Sequence, residues 1–222
     1  PYIHALELTA LLKPDAQRAL VFGIGAGLLP AALEKRYCIV TDTVDIDPAI
    51  IQTAKDFFNF SPQGDVFMED GRVVLEKSRR RYGIVVIDAF SADAPPYHLF
   101  TTEAFSAARR VLDPGGILAI NLVSLVTSPG DEAWLSVYKT LRKSFPEVRA
   151  YMSGPPHEGL ANILFFCSDK SLPLKNAAAL ARPLIAKDLT YLTTHELLPS
   201  QKNILDALSL SDDRAPLEFL MA

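Results

Sequence analysis

Apolar residues fall along this chain in short unbroken runs, and longer stretches with helical spacing separate them. RALVFGIG (18–25) reads as a first strand, and LLPAALEKR (28–36) as the helix after it. CIVTDTVDI (38–46) reads as a second strand, and PAIIQTAKDFF (48–58) as a helix with Pro48 suited to its first turn. GDVFM (64–68), GRVVLEKSRR (71–80) and YGIVVID (82–88) continue the order strand, helix, strand. TTEAFSAARRVL (101–112) predicts a helix opened by a threonine cap with an acid in its first turn, and DPGG closes it. GILAINLV (116–123) is then a strand, DEAWLSVYKTLRKSF (131–145) a long amphipathic helix, and VRAYMS (148–153) and NILFFCS (162–168) the last strands.

The strand runs are apolar throughout rather than alternating, as required when helices cover both faces of a parallel sheet. The order predicts an α/β fold, a Rossmann-like doubly wound and mostly parallel sheet. From about residue 172 the chain changes to helix and loop, with LPLKNAAALARPLIAK (172–187) expected as one helix. Residues 1–171 are read as the domain proper, and 172–222 as a helical and loop extension of it.

Composition narrows the class. A chain of 222 residues, 49% hydrophobic, suffices for one domain with a substantial core. A net charge of −4 and a pI near 5.6 argue against a nucleic-acid binder, whose footprint would be a basic patch. The one dense basic run, KSRRRY (77–82), reads as a solvated helix end. Cys38 and Cys167 both fall in strand-like runs without metal or disulfide spacing, so they are expected as buried free thiols of a reducing compartment. No apolar run approaches the roughly 20 residues of a membrane helix, and no signal peptide is visible. The chain opens on Pro1 without Met, which suggests a fragment or a processed chain. The expected location is the cytoplasm, either free or as the cytoplasmic domain of a membrane protein.

Chemistry gathers at the strand ends. The first strand runs into GIGAG, where Gly23, Gly25 and Gly27 allow a tight turn, close approach to a ligand, and a helix N-terminus aimed at it. The dinucleotide fingerprint wants a glycine at position 28, which is Leu28 here. The compact G-x-G-x-G form is the one familiar from S-adenosylmethionine-binding enzymes. Asp45, in VDID, lies near the roughly 20-residue offset at which an acid meets ribose hydroxyls. In MEDGR, Asp70 and Gly71 follow the third strand, where an adenine would lie and a carboxylate can accept from its amino group. Asp88 stops the fourth apolar run. Each acid alone reads as a turn or cap residue; together the features mark the carboxyl ends of four successive strands, where open α/β sheets bind ligands.

ALVFGIGAG, VDIDPAII, EDGR, YGIVVIDAF…PPYHLFTTEAF and LDPGGILAINL resemble, in order and spacing, the spermidine synthases, the polyamine aminopropyltransferases. NILFF and LSDDRAPLEFL look closest to a bacterial branch often fused to membrane-spanning segments. The resemblance implies decarboxylated S-adenosylmethionine as co-substrate and an amine such as putrescine as acceptor, with no metal. It places Asp45 on the ribose-binding acid, Asp70 on the adenine-side acid and Asp88 on the aspartate that activates the acceptor amine. Tyr2 falls on an active-site tyrosine upstream of the first strand. SADAPPYHLF (91–100) would be a gate loop, stiff and apolar enough to exclude water, with His98 as a pocket-lining or structural residue.

Three departures stand out. The family's glycine loop reads G-G-D-G-G, but its aspartate is Ala26 here. A second acceptor-holding aspartate is replaced by Ser91, with Asp93 a substitute two residues on. The family's N-terminal β-hairpin domain is absent from the sequence. Two other readings therefore stay open: a methyltransferase using intact S-adenosylmethionine, and a non-catalytic nucleoside-binding domain of a larger membrane protein. Phe22 weighs against the former, because many methyltransferases carry an acid there. The expected partners are a small-molecule nucleoside and an amine, with no nucleic acid and no membrane contact from this chain; a homodimer is left open.

Overall fold

The computed structural model describes residues 2–89, 96–127 and 129–220. Two short helices that the hydrophobic pattern does not announce come first, α1 (Tyr2–Leu6) and α2 (Leu8–Leu12). The alternating part follows as β1 (Arg18–Phe22), α3 (Leu28–Tyr37), β2 (Val40–Val44), α4 (Pro48–Phe58), β3 (Val66–Phe67), α5 (Gly71–Lys77) and β4 (Tyr82–Ile87). A 3-10 turn (Tyr97–Leu99) leads into α6 (Thr102–Val111), β5 (Leu112–Leu125), α7 (Glu132–Ser144), β6 (Glu147–Met152) and β7 (Leu160–Ser168). The C-terminal part is α8 (Leu174–Ala178), α9 (Pro183–Thr194), β8 (Glu196–Leu197), α10 (Gln201–Asp206) and α11 (Leu217–Leu220).

One sheet of eight strands runs in the order β3-β2-β1-β4-β5-β7-β6-β8. β1 to β5 pair in parallel, while β7 is antiparallel to both β5 and β6. This is the expected Rossmann-like, mostly parallel α/β sheet. Alternate residues of β1 and β4 enter opposite cores. Leu20, Phe22, Val85 and Ile87 face one helical layer, and Ala19, Val21, Ile84 and Val86 the other. Burial on both faces is why these strands read as unbroken apolar runs.

Local chemistry sets the boundaries. Asp47 caps α4 by accepting from the Ala49 amide at 2.8 Å, Pro48 occupies the first turn, and Asn59 ends the helix at φ 53°. Three expectations fail. Cys38 is exposed rather than buried, because it is the left-handed residue (φ 59°) that turns the chain out of α3, and β2 begins two residues later. The helix expected over 172–187 is split into α8 and α9, since Pro183 cannot continue a helix and instead starts the second. The basic run is not simply a solvated helix end. α5 stops at Lys77, and Arg80 reaches Asp42, a fully buried carboxylate on β2, at 3.0 Å, joined there by Arg18 and the Tyr82 hydroxyl. A buried carboxylate must be paired, and Arg80 supplies part of that pairing.

Candidate active site

The carboxyl ends of β1, β2, β3 and β4 open onto a single cleft of about 980 Å³. Gly23, Gly25, Asp45, Asp70, Gly71 and Asp88 all line it, and Tyr2 from α1 closes one side. Gly27 does not line it; at φ 72° it precedes α3 with its Cα packed toward the Phe60 ring. Ser91 and Asp93, with residues 91–95 of the expected gate loop, lie outside the described residues.

Gly23 shows why the turn must be glycine. At φ +85° its backbone passes so close to Asp88 that a Cβ would stand 2.2 Å from the Asp88 carbonyl oxygen. The Asp88 amide also donates to the Phe22 carbonyl at 2.9 Å, so the glycine turn and the aspartate are locked together. Gly25, at φ +52°, lines the cleft and has open space where a side chain would stand.

Each acid is oriented by donors. Asp45 accepts from the amides of Ile24 and Asp47, one on each oxygen, both at 3.0 Å. Asp70 caps α5 through Oδ1, which accepts from the Arg72 amide at 2.8 Å and the Val73 amide at 3.3 Å. Its Oδ2 lies 2.8 Å from His98 Nε2. A carboxylate can only accept, so Nε2 carries the proton. His98 is thus a wall residue of the cleft, bound to one of its acids.

Asp88 accepts from Asn121 Nδ2 at 2.8 Å and from the Tyr2 hydroxyl. Burial pushes its carboxyl up to about 6, and the bonds from Asn121 and Tyr2 pull the other way without cancelling that effect. Burial, with the neighbouring Asp88 charge and hydrogen bond, pushes the Tyr2 hydroxyl up to about 12, so it is a donor at neutral pH. Sequence reasoning missed Asn121. It lies on β5 and is almost fully buried, and its Oδ1 has no partner among the described residues. The only signal was a lone amide in the apolar run GILAINLV.

The charge of the cleft is one-sided. Asp45, Asp47, Glu69, Asp70 and Asp88 line it, with no Lys or Arg among the described lining residues. Five carboxylates attract a cationic ligand.

Sheet order and parallel pairing define the class as a Rossmann-like α/β fold of the kind seen in spermidine synthases and S-adenosylmethionine-dependent methyltransferases. Within that class the chain belongs to the spermine/spermidine synthase domain family, whose pattern matches residues 6–176. The chain is 32% identical over 130 residues to a polyamine aminopropyltransferase of Vibrio vulnificus (strain CMCP6), covering 56% of this chain and 44% of that protein. It is 31% identical over 168 residues to an N-terminal histidine N-methyltransferase of Emericella nidulans, covering 70% of this chain and 29% of that protein. The chain therefore spans less than half the length of either relative. In three dimensions it is similar to the crystal structure of a probable spermidine synthase from Corynebacterium glutamicum ATCC 13032, at TM-score 0.77 and 19% identity, covering 95% of this chain and 80% of that one. Among the described residues no helix is long and apolar enough to cross a membrane.

Proposed function

We propose that this chain is an aminopropyltransferase that moves the aminopropyl group of decarboxylated S-adenosylmethionine to an amine of the putrescine class. The observation that carries this reading is the partly buried Asp88 carboxylate. It faces a cleft of carboxylates beside a glycine turn, in a chain of the spermine/spermidine synthase family. Asp45 takes the ribose hydroxyls and Asp70 the adenine amino group, while Gly23, Gly25 and Gly71 let the backbone approach the nucleoside.

The amine nitrogen attacks the aminopropyl carbon next to the sulfonium. The C–N bond forms as the C–S bond breaks, and the electron pair of that bond stays on sulfur, leaving neutral methylthioadenosine. The nitrogen gains positive charge and gives up one proton, which Asp88 accepts. With its carboxyl near 6, Asp88 is ionised at neutral pH yet more basic than an ordinary aspartate. Asn121, through Oδ1, and Tyr2 hold the carboxylate in place in the cleft wall. The remaining carboxylates draw in two cationic substrates.

Purified protein given decarboxylated S-adenosylmethionine should release methylthioadenosine only after an amine is added. Nucleoside binding without turnover, across a panel of diamines and monoamines, would contradict the proposal.

A further inference from the structure

The cleft wall beside Asp70 is tied to the C-terminal part of the chain. His98 enters the wall from the turn between β4 and α6, and Asp212 comes from the C-terminal part of the chain. Arg72, second residue of α5, connects them. Its Nη1 and Nη2 grip Asp212 Oδ1 and Oδ2 at 3.1 and 2.9 Å, a bidentate fork. The same Nη1 reaches the Thr101 hydroxyl at 3.1 Å and the His98 carbonyl at 3.4 Å. Thr101 in turn donates to Asp212 Oδ1 at 2.6 Å. The tail is fixed from its own side as well. The Leu210 carbonyl accepts from the Thr102 amide, the Leu210 amide donates to the Thr140 hydroxyl, and the Asp212 amide donates to Glu103.

Extending the nucleoside reading above, we propose that His98 is a specificity-determining residue for the nucleobase, and that Asp212 is the positioning residue that holds it there through Arg72. The argument is a count of acceptor sites. Asp70 has about four. Two backbone amides take Oδ1 and His98 takes one site on Oδ2, so about one acceptor site of this cleft-lining residue is left for a ligand. Among the described residues His98 is the side chain bound to Oδ2, while the α5 cap holds the other oxygen. Fixed by His98, the carboxylate presents one acceptor to an exocyclic amino group and rejects a carbonyl oxygen at the same place. The Arg72–Asp212 pair is half exposed on the Asp212 side, where an ion pair contributes little to stability. Its consequence lies in where it holds the His98 backbone.

Calorimetric titration of the whole chain with methylthioadenosine and with methylthioinosine tests this, because the second carries a carbonyl in place of the exocyclic amino group and a hydrogen on the adjacent ring nitrogen. The quantity read is the ratio of the two affinities. A merely structural role would lower both affinities together and leave that ratio in place. Wild type should prefer methylthioadenosine. His98→Ala should cut the preference about fivefold, and Asp212→Asn about threefold in the same direction. The double variant should be no worse than His98→Ala alone, since Asp212 acts through His98. An unchanged ratio in His98→Ala overturns the specificity role; an unchanged ratio in Asp212→Asn alone, or additive losses in the double variant, overturns the positioning role. Equal binding of both nucleosides by wild type overturns base recognition at Asp70 and the inference with it. Binding of neither overturns the nucleoside reading itself.

Discussion

Asp88→Asn should cost the protein its activity and make it more stable. The amide has the shape of the carboxylate and keeps both observed bonds, since Oδ1 still accepts from Asn121 and the new NH2 can donate to the Tyr2 oxygen. What changes is the penalty for burying a charge. The Asp88 carboxyl titrates at about 6 in the folded chain against 3.8 for the free group. The folded state therefore binds the proton more tightly, and the stability linked to this group is present below the unfolded value and lost as pH rises through 6. Two pKa units correspond to about 3 kcal/mol. That is a ceiling, because the bonds to the carboxylate are stronger than those to an amide. We expect Asp88→Asn to be more stable than wild type by about 1–3 kcal/mol at pH 8, and by little near about pH 3, where wild-type Asp88 is protonated in the folded and the unfolded chain alike. Urea unfolding at the two pH values reads this directly, and turnover should be lost in the same preparation. A variant less stable than wild type at pH 8, or a difference that does not change with pH, would refute the buried-charge argument.

Two further substitutions probe the cleft. Tyr2→Phe removes a hydrogen bond that lowers the Asp88 pKa, so the acid limb of the pH–rate profile should move upward from about 6, and a downward or absent shift would contradict that contact. Asp45→Ala should weaken methylthioadenosine binding about tenfold or more in calorimetry, through the lost ribose bonds and the freed Ile24 and Asp47 amides; unchanged affinity would remove Asp45 from the site.

What could be read from the letters depended on whether a signal was local. α4 was legible to the residue because Asp47, Pro48 and Asn59 are adjacent to the events they cause. Asp88 was legible because a charge ends an apolar run, and the glycine turn because few other residues tolerate its conformation. Asn121 was hidden by the opposite arrangement, one amide inside a buried strand, where its partner 33 positions away cannot be guessed. The Arg72–Asp212 fork spans 140 positions, and nothing local marks either end as paired. Cys38 was misread because a helix exit and a strand entry share the same apolar run, and only the left-handed φ separates them. Asp42 carried no mark inside the run CIVTDTVDI, and its pairing with Arg80 appears only when β4 lies near it in the fold.

The central claim is that this cleft delivers an aminopropyl group and Asp88 receives the proton. The most direct measurement offers the protein one amine together with equal amounts of intact and decarboxylated S-adenosylmethionine, and weighs the amine product by mass spectrometry. The account predicts a gain of one aminopropyl group, matched by methylthioadenosine and abolished by Asp88→Asn. A gain of one methyl group, matched by S-adenosylhomocysteine, would contradict it.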